Sequence, residues 1–347
     1  MSLEDDAAQG GLATSSAPAC SGYRRRYLNR RNLIAGLTIA TAFPPSTADA
    51  EKSAVVVPPE WDAAPRLELW PQGVPGAGYD PLSLPADWPV NYTRNVARPE
   101  LRVFFPARPN RQVLLSIPGG AYVFVSTKSE GVNVAARMTA LGYTVFVLVY
   151  RLPGEGWAHR SDVPLQDAQR AMRVIRAYAQ DHRLNADMVS VIGFSAGGHL
   201  AASLATGFEE RLLEPRDAID RIEARPHRVA LVYPVISHRA GVGHAQSTLQ
   251  LLGPSPGAAL VQRRSPAEHV TATTPPMLLV HAFDDTVVPI ENSIVMMQAM
   301  RAARRPIEAH FFARGGHGFG MGAADLPASA WPDIFSRWLM DKPSGGS

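Results

Sequence analysis

The chain has 347 residues, of which 46% are hydrophobic and 19% charged, enough for a substantial globular core. Its 34 basic and 31 acidic side chains leave a formal charge of +3, so the balance calls for neither nucleic acid nor an acidic membrane as partner. A single cysteine, Cys20, excludes an intramolecular disulfide and a cysteine-based zinc site.

The first segment, "NRRNLIAGLTIATAFPPSTADAEK", carries Arg30-Arg31, an apolar run Leu33–Phe43 and then Ala48-Asp49-Ala50. Charge, short apolar run and A-x-A site in that order predict a cleavable signal over residues 1–50, and the twin arginine points to Tat export to the periplasm or beyond. A disordered basic tail leading into a buried helix is the alternative. The apolar run is well short of the ~20 residues that span a bilayer, so no stable membrane anchor is expected. Residues 51–64, rich in Pro and Ala, read as an arm, 65–341 as one domain, and 342–347 as a tail.

Within that domain, apolar runs at 101–105, 112–117, 144–150, 188–193, 229–235, 277–282 and 307–313 predict strands. Most are apolar throughout, as strands buried on both faces are. Helical patterns lie between them at 130–141, 165–182, 196–206 and 292–304. The alternation predicts an open α/β fold, a mostly parallel sheet with helices on both faces. Residues 236–275 interrupt it with a Gly-, Pro- and polar-rich insertion, either a lid over a site or a plain surface excursion. Trp331 and Trp338 are expected to pack a final helix.

The stretch "GFSAGGH", residues 193–199, follows one predicted strand and opens a predicted helix. That context identifies Ser195 as a nucleophile on a G-x-S-x-G elbow, with Gly193 and Gly197 leaving room for the sharp turn. A serine hydroxyl needs a base, and the base needs an orienting acid. "MLLVHAFDDTVVP" offers Asp284 and Asp285 just after a strand, and "HFFARGGHGFG" offers His317 in a Gly-rich loop. The order Ser, Asp, His suits this architecture. His199, fixed in the elbow helix, reads as a packing residue, and His281 as a satisfied core histidine. His244 in the insertion is a solvated loop residue or a substrate contact. "LLSIPGGAYVF" supplies Gly119 and Gly120, whose N–H groups join that of Ala196 as the expected oxyanion hole. No H-E-x-x-H motif or Cys/His cluster indicates a metal, and no cofactor is expected.

Together these residues resemble the α/β-hydrolase superfamily, and more narrowly exported acetylxylan-esterase-like bacterial carbohydrate esterases. The likeness rests on "LWPQGVPGA" (69–77), "IPGGAYVF" (117–124), the stretch 129–152, "GFSAGGHLAA" (193–202), "PPMLLVHAFDDTVVP" (275–289) and "GGHGFG" (315–320). In the family's acid loop the aspartate precedes the proline by four residues, which selects Asp285 over Asp284. The resemblance implies a serine esterase acting on short acyl esters, with a small ester or acetylated xylan-derived oligosaccharide as substrate. A serine aminopeptidase or dipeptidase of the prolyl-oligopeptidase type, a short-chain esterase for non-carbohydrate esters, and a non-catalytic binding protein on the same fold are the rival readings.

Overall fold

The computed structural model describes residues 59–341. The expected signal (1–50), the start of the arm (51–58) and the tail (342–347) lie outside the described residues.

Ten strands form in chain order: β1 Arg66–Glu68, β2 Tyr92–Thr93, β3 Glu100–Phe104, β4 Val113–Ile117, β5 Val125–Ser126, β6 Thr144–Val149, β7 Val189–Phe194, β8 Val229–Val232, β9 Met277–Ala282 and β10 Ile307–Phe312. Eight of them make one sheet in the order β1-β3-β6-β4-β7-β8-β9-β10, and β2 pairs with β5 apart from it. β1–β3 and β3–β6 are antiparallel; every later pair in the sheet is parallel. This is the mostly parallel open sheet that the alternation of runs predicts. β4, β6, β7, β8 and β9 are buried along their whole length, which is why their sequences are apolar without alternation.

Eight helices accompany them among the described residues: α1 Pro59–Ala63, α2 Asn133–Ala140, α3 Val163–Asp181, α4 Ser195–Gly207, α5 Ala245–Leu252, α6 Ala258–Arg263, α7 Glu291–Ala302 and α8 Trp331–Met340. α4 is buried from Ser195 to Ala205, and its small residues let it lie close to the sheet. A Cβ on Gly198 would come within 2.8 Å of the Pro234 side chain.

Three elements differ from the sequence expectation. The end of the expected arm is not free of the body, because Trp61 on α1 is buried in the core. The helix expected over 130–141 begins as a π-helical turn, Lys128–Val132, before α2. The insertion 236–275 contains α5, α6 and a 3₁₀ turn, Pro266–His269. Leu251 and Leu252 join the core, and buried Arg264 bridges Asp162 at 2.5 Å and Glu210 at 2.8 Å. Spaced Gly and Pro hid these short helices, whose stability comes from packing against the body rather than from propensity.

Candidate active site

The parallel strands end on one side of the sheet, and the loops there carry Ser195, Asp285 and His317. Ser195 sits where β7 meets α4, with φ of +50°, a conformation non-glycine residues seldom adopt. The neighbouring glycines make the turn fit. A Cβ on Gly193 would stand 2.4 Å from the Gly197 carbonyl oxygen, and one on Gly197 would stand 2.2 Å from that of Ile117. Either clash would involve backbone, which has no rotamer by which to escape.

Ser195 Oγ lies 3.0 Å from His317 Nε2, and His317 Nδ1 lies 2.7 Å from Asp285 Oδ2. In the resting arrangement the serine hydroxyl donates to Nε2 while Nδ1–H donates to the carboxylate. Asp285 is locked from three further sides. Its Oδ1 accepts the backbone N–H groups of Val287 (2.9 Å) and Val288 (2.8 Å), and its Oδ2 also accepts His281 Nε2–H at 3.1 Å. Burial by itself would raise this carboxyl, but the hydrogen bonds from His281 and His317 outweigh it and hold the group well below the usual carboxylate range. Asp285 therefore stays an ionised acceptor.

Asp284 does other work. Its Oδ1 accepts the N–H groups of Gly315 (2.8 Å) and Gly316 (2.7 Å), fixing the loop that carries His317. His281 is also more than the core histidine its strand position suggests. Ser293 Oγ–H donates to its Nδ1 at 2.8 Å, which leaves Nε2–H shared between Asp285 Oδ2 and the Val288 carbonyl, each 3.1 Å away. The spacing of four residues between His281 and Asp285 was the available signal.

The expected oxyanion set needs one correction. Gly119 N–H is already committed, donating to Glu130 Oε2 at 2.6 Å, so it is not free for an oxyanion. Gly120 and Ala196 have no acceptor for their N–H groups among the described residues, and Ala196 opens the N-terminus of α4. The reason lies in the π-turn, which carries the Glu130 carboxylate into the protein beneath the loop. Tyr233 OH donates to its Oε1 at 2.9 Å and accepts Gly320 N–H at 3.2 Å. The Tyr233 ring also packs edge-on to His317, centroids 5.1 Å apart, and Trp331 Nε1–H holds the Gly320 carbonyl at 2.8 Å. One buried carboxylate thus ties the glycine loop to the histidine loop. Burial pushes Glu130 upward, while hydrogen bonds from Gly119 and Tyr233 favour its charged form. Nothing in a single glutamate at 130 revealed this role.

Replacing Glu130 by alanine strands two buried donors, each worth about 1–3 kcal/mol. Glu130→Ala is expected to lower both the urea midpoint and kcat, the latter by roughly tenfold or more as the loops lose register. Glu130→Gln, which keeps one amide oxygen, should lose less. A folded Glu130→Ala protein with wild-type kcat would disprove the coupling.

The remaining histidines divide by environment. His199 is buried between Tyr122 OH (2.7 Å to Nδ1) and the Arg264 carbonyl (2.7 Å from Nε2), and His238 packs beside it. Burial pulls His199 down to about 4, so its bonding pattern is that of a neutral ring. It faces the insertion rather than Ser195. His244, at the start of α5, bonds Ser247 Oγ at 2.9 Å. Burial lowers it to about 4, assisted by the repulsion that a protonated His244 would meet from the neighbouring His317 ring, so it is no free loop residue.

Among the described residues no group of three His, Cys, Asp or Glu is placed to hold a metal ion, and no helix is long and apolar enough to cross a membrane. A cavity of about 510 Å³ lined by Trp70, Arg173 and Asp220 includes none of Ser195, Asp285 and His317.

Known proteins share this plan. The family model BD-FAE matches residues 101–300. The acetylxylan esterase of Xylanibacter ruminicola is 29% identical over 270 residues, covering 76% of this chain and 53% of that protein. Endo-1,4-beta-xylanase B of Butyrivibrio fibrisolvens is 34% identical over 228 residues, covering 66% of this chain and 34% of that protein. The chain therefore spans about half, or less, of these curated relatives. The crystal structure of the acetyl ester-xyloside bifunctional hydrolase from Caldicellulosiruptor lactoaceticus is 32% identical, with a TM-score of 0.65 over 77% of this chain and 97% of that one. With its sheet order, its serine elbow and a family match over more than half its length, the chain belongs to the BD-FAE family and has the α/β-hydrolase fold.

Proposed function

We propose that the protein is a serine esterase that removes short acyl groups, acetyl foremost, from xylan-derived or related carbohydrates. The observation that carries the chemistry is the hydrogen-bonded chain Ser195–His317–Asp285 beside unengaged N–H groups at Gly120 and Ala196. Ser195 Oγ attacks the ester carbonyl as its proton passes to His317 Nε2. Gly120 and Ala196 donate to the oxyanion that develops, where such donors act most strongly. His317 then gives its proton to the departing sugar hydroxyl, leaving an acyl-serine. Water, deprotonated by the same imidazole, releases the acid and restores Ser195. Asp285 keeps Nε2 facing the serine and stabilises the imidazolium. The carbohydrate class is supported by the relatives' names, acetylxylan esterase and acetyl ester-xyloside hydrolase among them.

Arg30-Arg31, the apolar run and Ala48-Asp49-Ala50 support the further proposal that the protein is exported by the Tat route and cut after Ala50. A secreted form beginning at Glu51 is the result expected from N-terminal sequencing. A fully cytoplasmic, uncleaved protein would overturn it.

The substrate is tested by measuring acetate released from acetylated xylo-oligosaccharides, with p-nitrophenyl acetate as a small-ester reference. Release from both is expected. Turnover of the small ester alone would retain the esterase and remove the carbohydrate, and cleavage of aminoacyl amides without ester turnover would overturn the reading.

A further inference from the structure

An aromatic cluster stands on the outer side of the glycine loop. Tyr92 on β2 and Phe124, just before β5, stack with centroids 4.2 Å apart, and Trp88 meets Phe124 edge-on at 6.3 Å. Tyr92 is 38% exposed, and Trp88 and Phe124 are half-buried, so none is a core residue. The cluster adjoins the reacting groups. A Cβ on Gly120 would lie 2.6 Å from a Phe124 ring carbon, and one on Gly119 would lie 2.9 Å from Ser195 Cβ. Phe124 thus lies against Gly120, and Gly119, its neighbour in the chain, lies against Ser195.

The cluster is held in place before any ligand arrives. β2 pairs with β5 through Tyr92–Ser126 and Thr93–Val125, Thr127 donates N–H and Oγ1–H to the Asn91 carbonyl at 2.9 Å, and Trp88 Nε1–H donates to the Tyr92 carbonyl at 2.6 Å. Glu155 accepts the N–H groups of Asn95 and Val96, fixing the chain just beyond Arg94. Arg94 lies over the Trp88 ring at 5.0 Å, and its Nε has no acceptor among the described residues.

We propose that Trp88, Tyr92 and Phe124, with the Arg94 guanidinium beside them, bind the neutral sugar ring that carries the scissile ester. The inference rests on the carbohydrate-ester reading above and names its sugar subsite. A pyranose offers two kinds of surface: C–H faces that lie on aromatic rings, and hydroxyl edges that seek donors and acceptors. The cluster offers the complementary pair, aromatic area already ordered and a guanidinium rich in donors. An acyl chain would call instead for an enclosed apolar channel, which a guanidinium at the wall disfavours.

Two measurements test it. The first is the ratio of kcat/KM on acetylated xylo-oligosaccharide to kcat/KM on p-nitrophenyl acetate, in wild type, Trp88→Ala and Tyr92→Ala. The second is calorimetric titration of unacetylated xylotriose into Ser195→Ala protein with and without each substitution. Loss of one stacking face is expected to lower the ratio about tenfold and to weaken xylotriose binding by a similar factor. Folded variants with the wild-type ratio and wild-type xylotriose affinity would overturn the subsite. If the wild type turns over p-nitrophenyl acetate but releases no acetate from the sugar, the carbohydrate-ester reading fails, and the titration then decides. Binding that needs Trp88 or Tyr92 keeps the subsite; absent binding overturns it as well.

Discussion

Ser195→Ala and His317→Ala are each expected to lower kcat for p-nitrophenyl acetate by about 10⁶-fold, and the double variant should lose little more. The reason is that nucleophile and base take part in one event. Their contact is a single hydrogen bond of 3.0 Å, through which the serine proton leaves as the C–O bond forms. Without Ser195 there is no acyl acceptor, and without His317 the hydroxyl keeps its proton and stays a poor nucleophile. Removing the second partner destroys a step that has already gone. Residual turnover of about 10³–10⁴ over water is expected in all three variants from the oxyanion donors and substrate binding. Steady-state and burst kinetics check this. Additive losses, with the double variant slower by the product of the two, would mean that the residues act in separate steps.

Asp285→Asn is expected to lower kcat by about 10⁴-fold while leaving the fold intact. Asp284→Asn should cost far less. The two carboxylates are neighbours in sequence and differ entirely in what they hold. Asp285 accepts His317 Nδ1–H, His281 Nε2–H and two backbone N–H groups, and its side chain is fully buried. An asparagine there can turn an amide donor toward Nδ1, which puts the imidazole proton on Nε2, where it cannot receive one from serine. Among the described residues Asp284 is partnered by the Gly315 and Gly316 N–H groups, and an asparagine oxygen can still accept them. Its loss is expected as a raised KM or a mild fall in kcat through looseness of the histidine loop. The comparison is made on p-nitrophenyl acetate above pH 7, with circular dichroism to verify folding. Equal losses in the two variants, or the larger loss at Asp284, would overturn the assignment of the acid.

Much of the fold was legible because the central strands are apolar along most of their length without alternation, as two-sided burial favours, and because helical patterns separate them. The elbow at Ser195 was legible as G-x-S-x-G between a strand and a helix, and the structure shows why glycine stands at 193 and 197, where a Cβ would strike backbone. The choice of Asp285 came from family resemblance, since composition around Asp284 and Asp285 does not distinguish them. Local pattern could not reveal α5 and α6, which are short and stabilised by packing on distant parts of the chain. It also could not show that Gly119 N–H is occupied, because its acceptor, Glu130, arrives through a π-turn that has no period of its own.

The sequence by itself determined the architecture, the serine elbow, the order in which Ser195, Asp285 and His317 follow one another, and the presence of a glycine loop before them. These depend on local spacing and on runs of one residue type, and both survive in one dimension. The tertiary structure alone decided which N–H groups are free, what braces Asp285, and which side chains stand near Ser195. His281 beside Asp285, Glu130 beneath Gly119 and Phe124 against Gly120 are matters of ångströms between side chains. Hydrogen bonds and ring contacts act only over such distances, and the spacing of letters along a chain does not carry them.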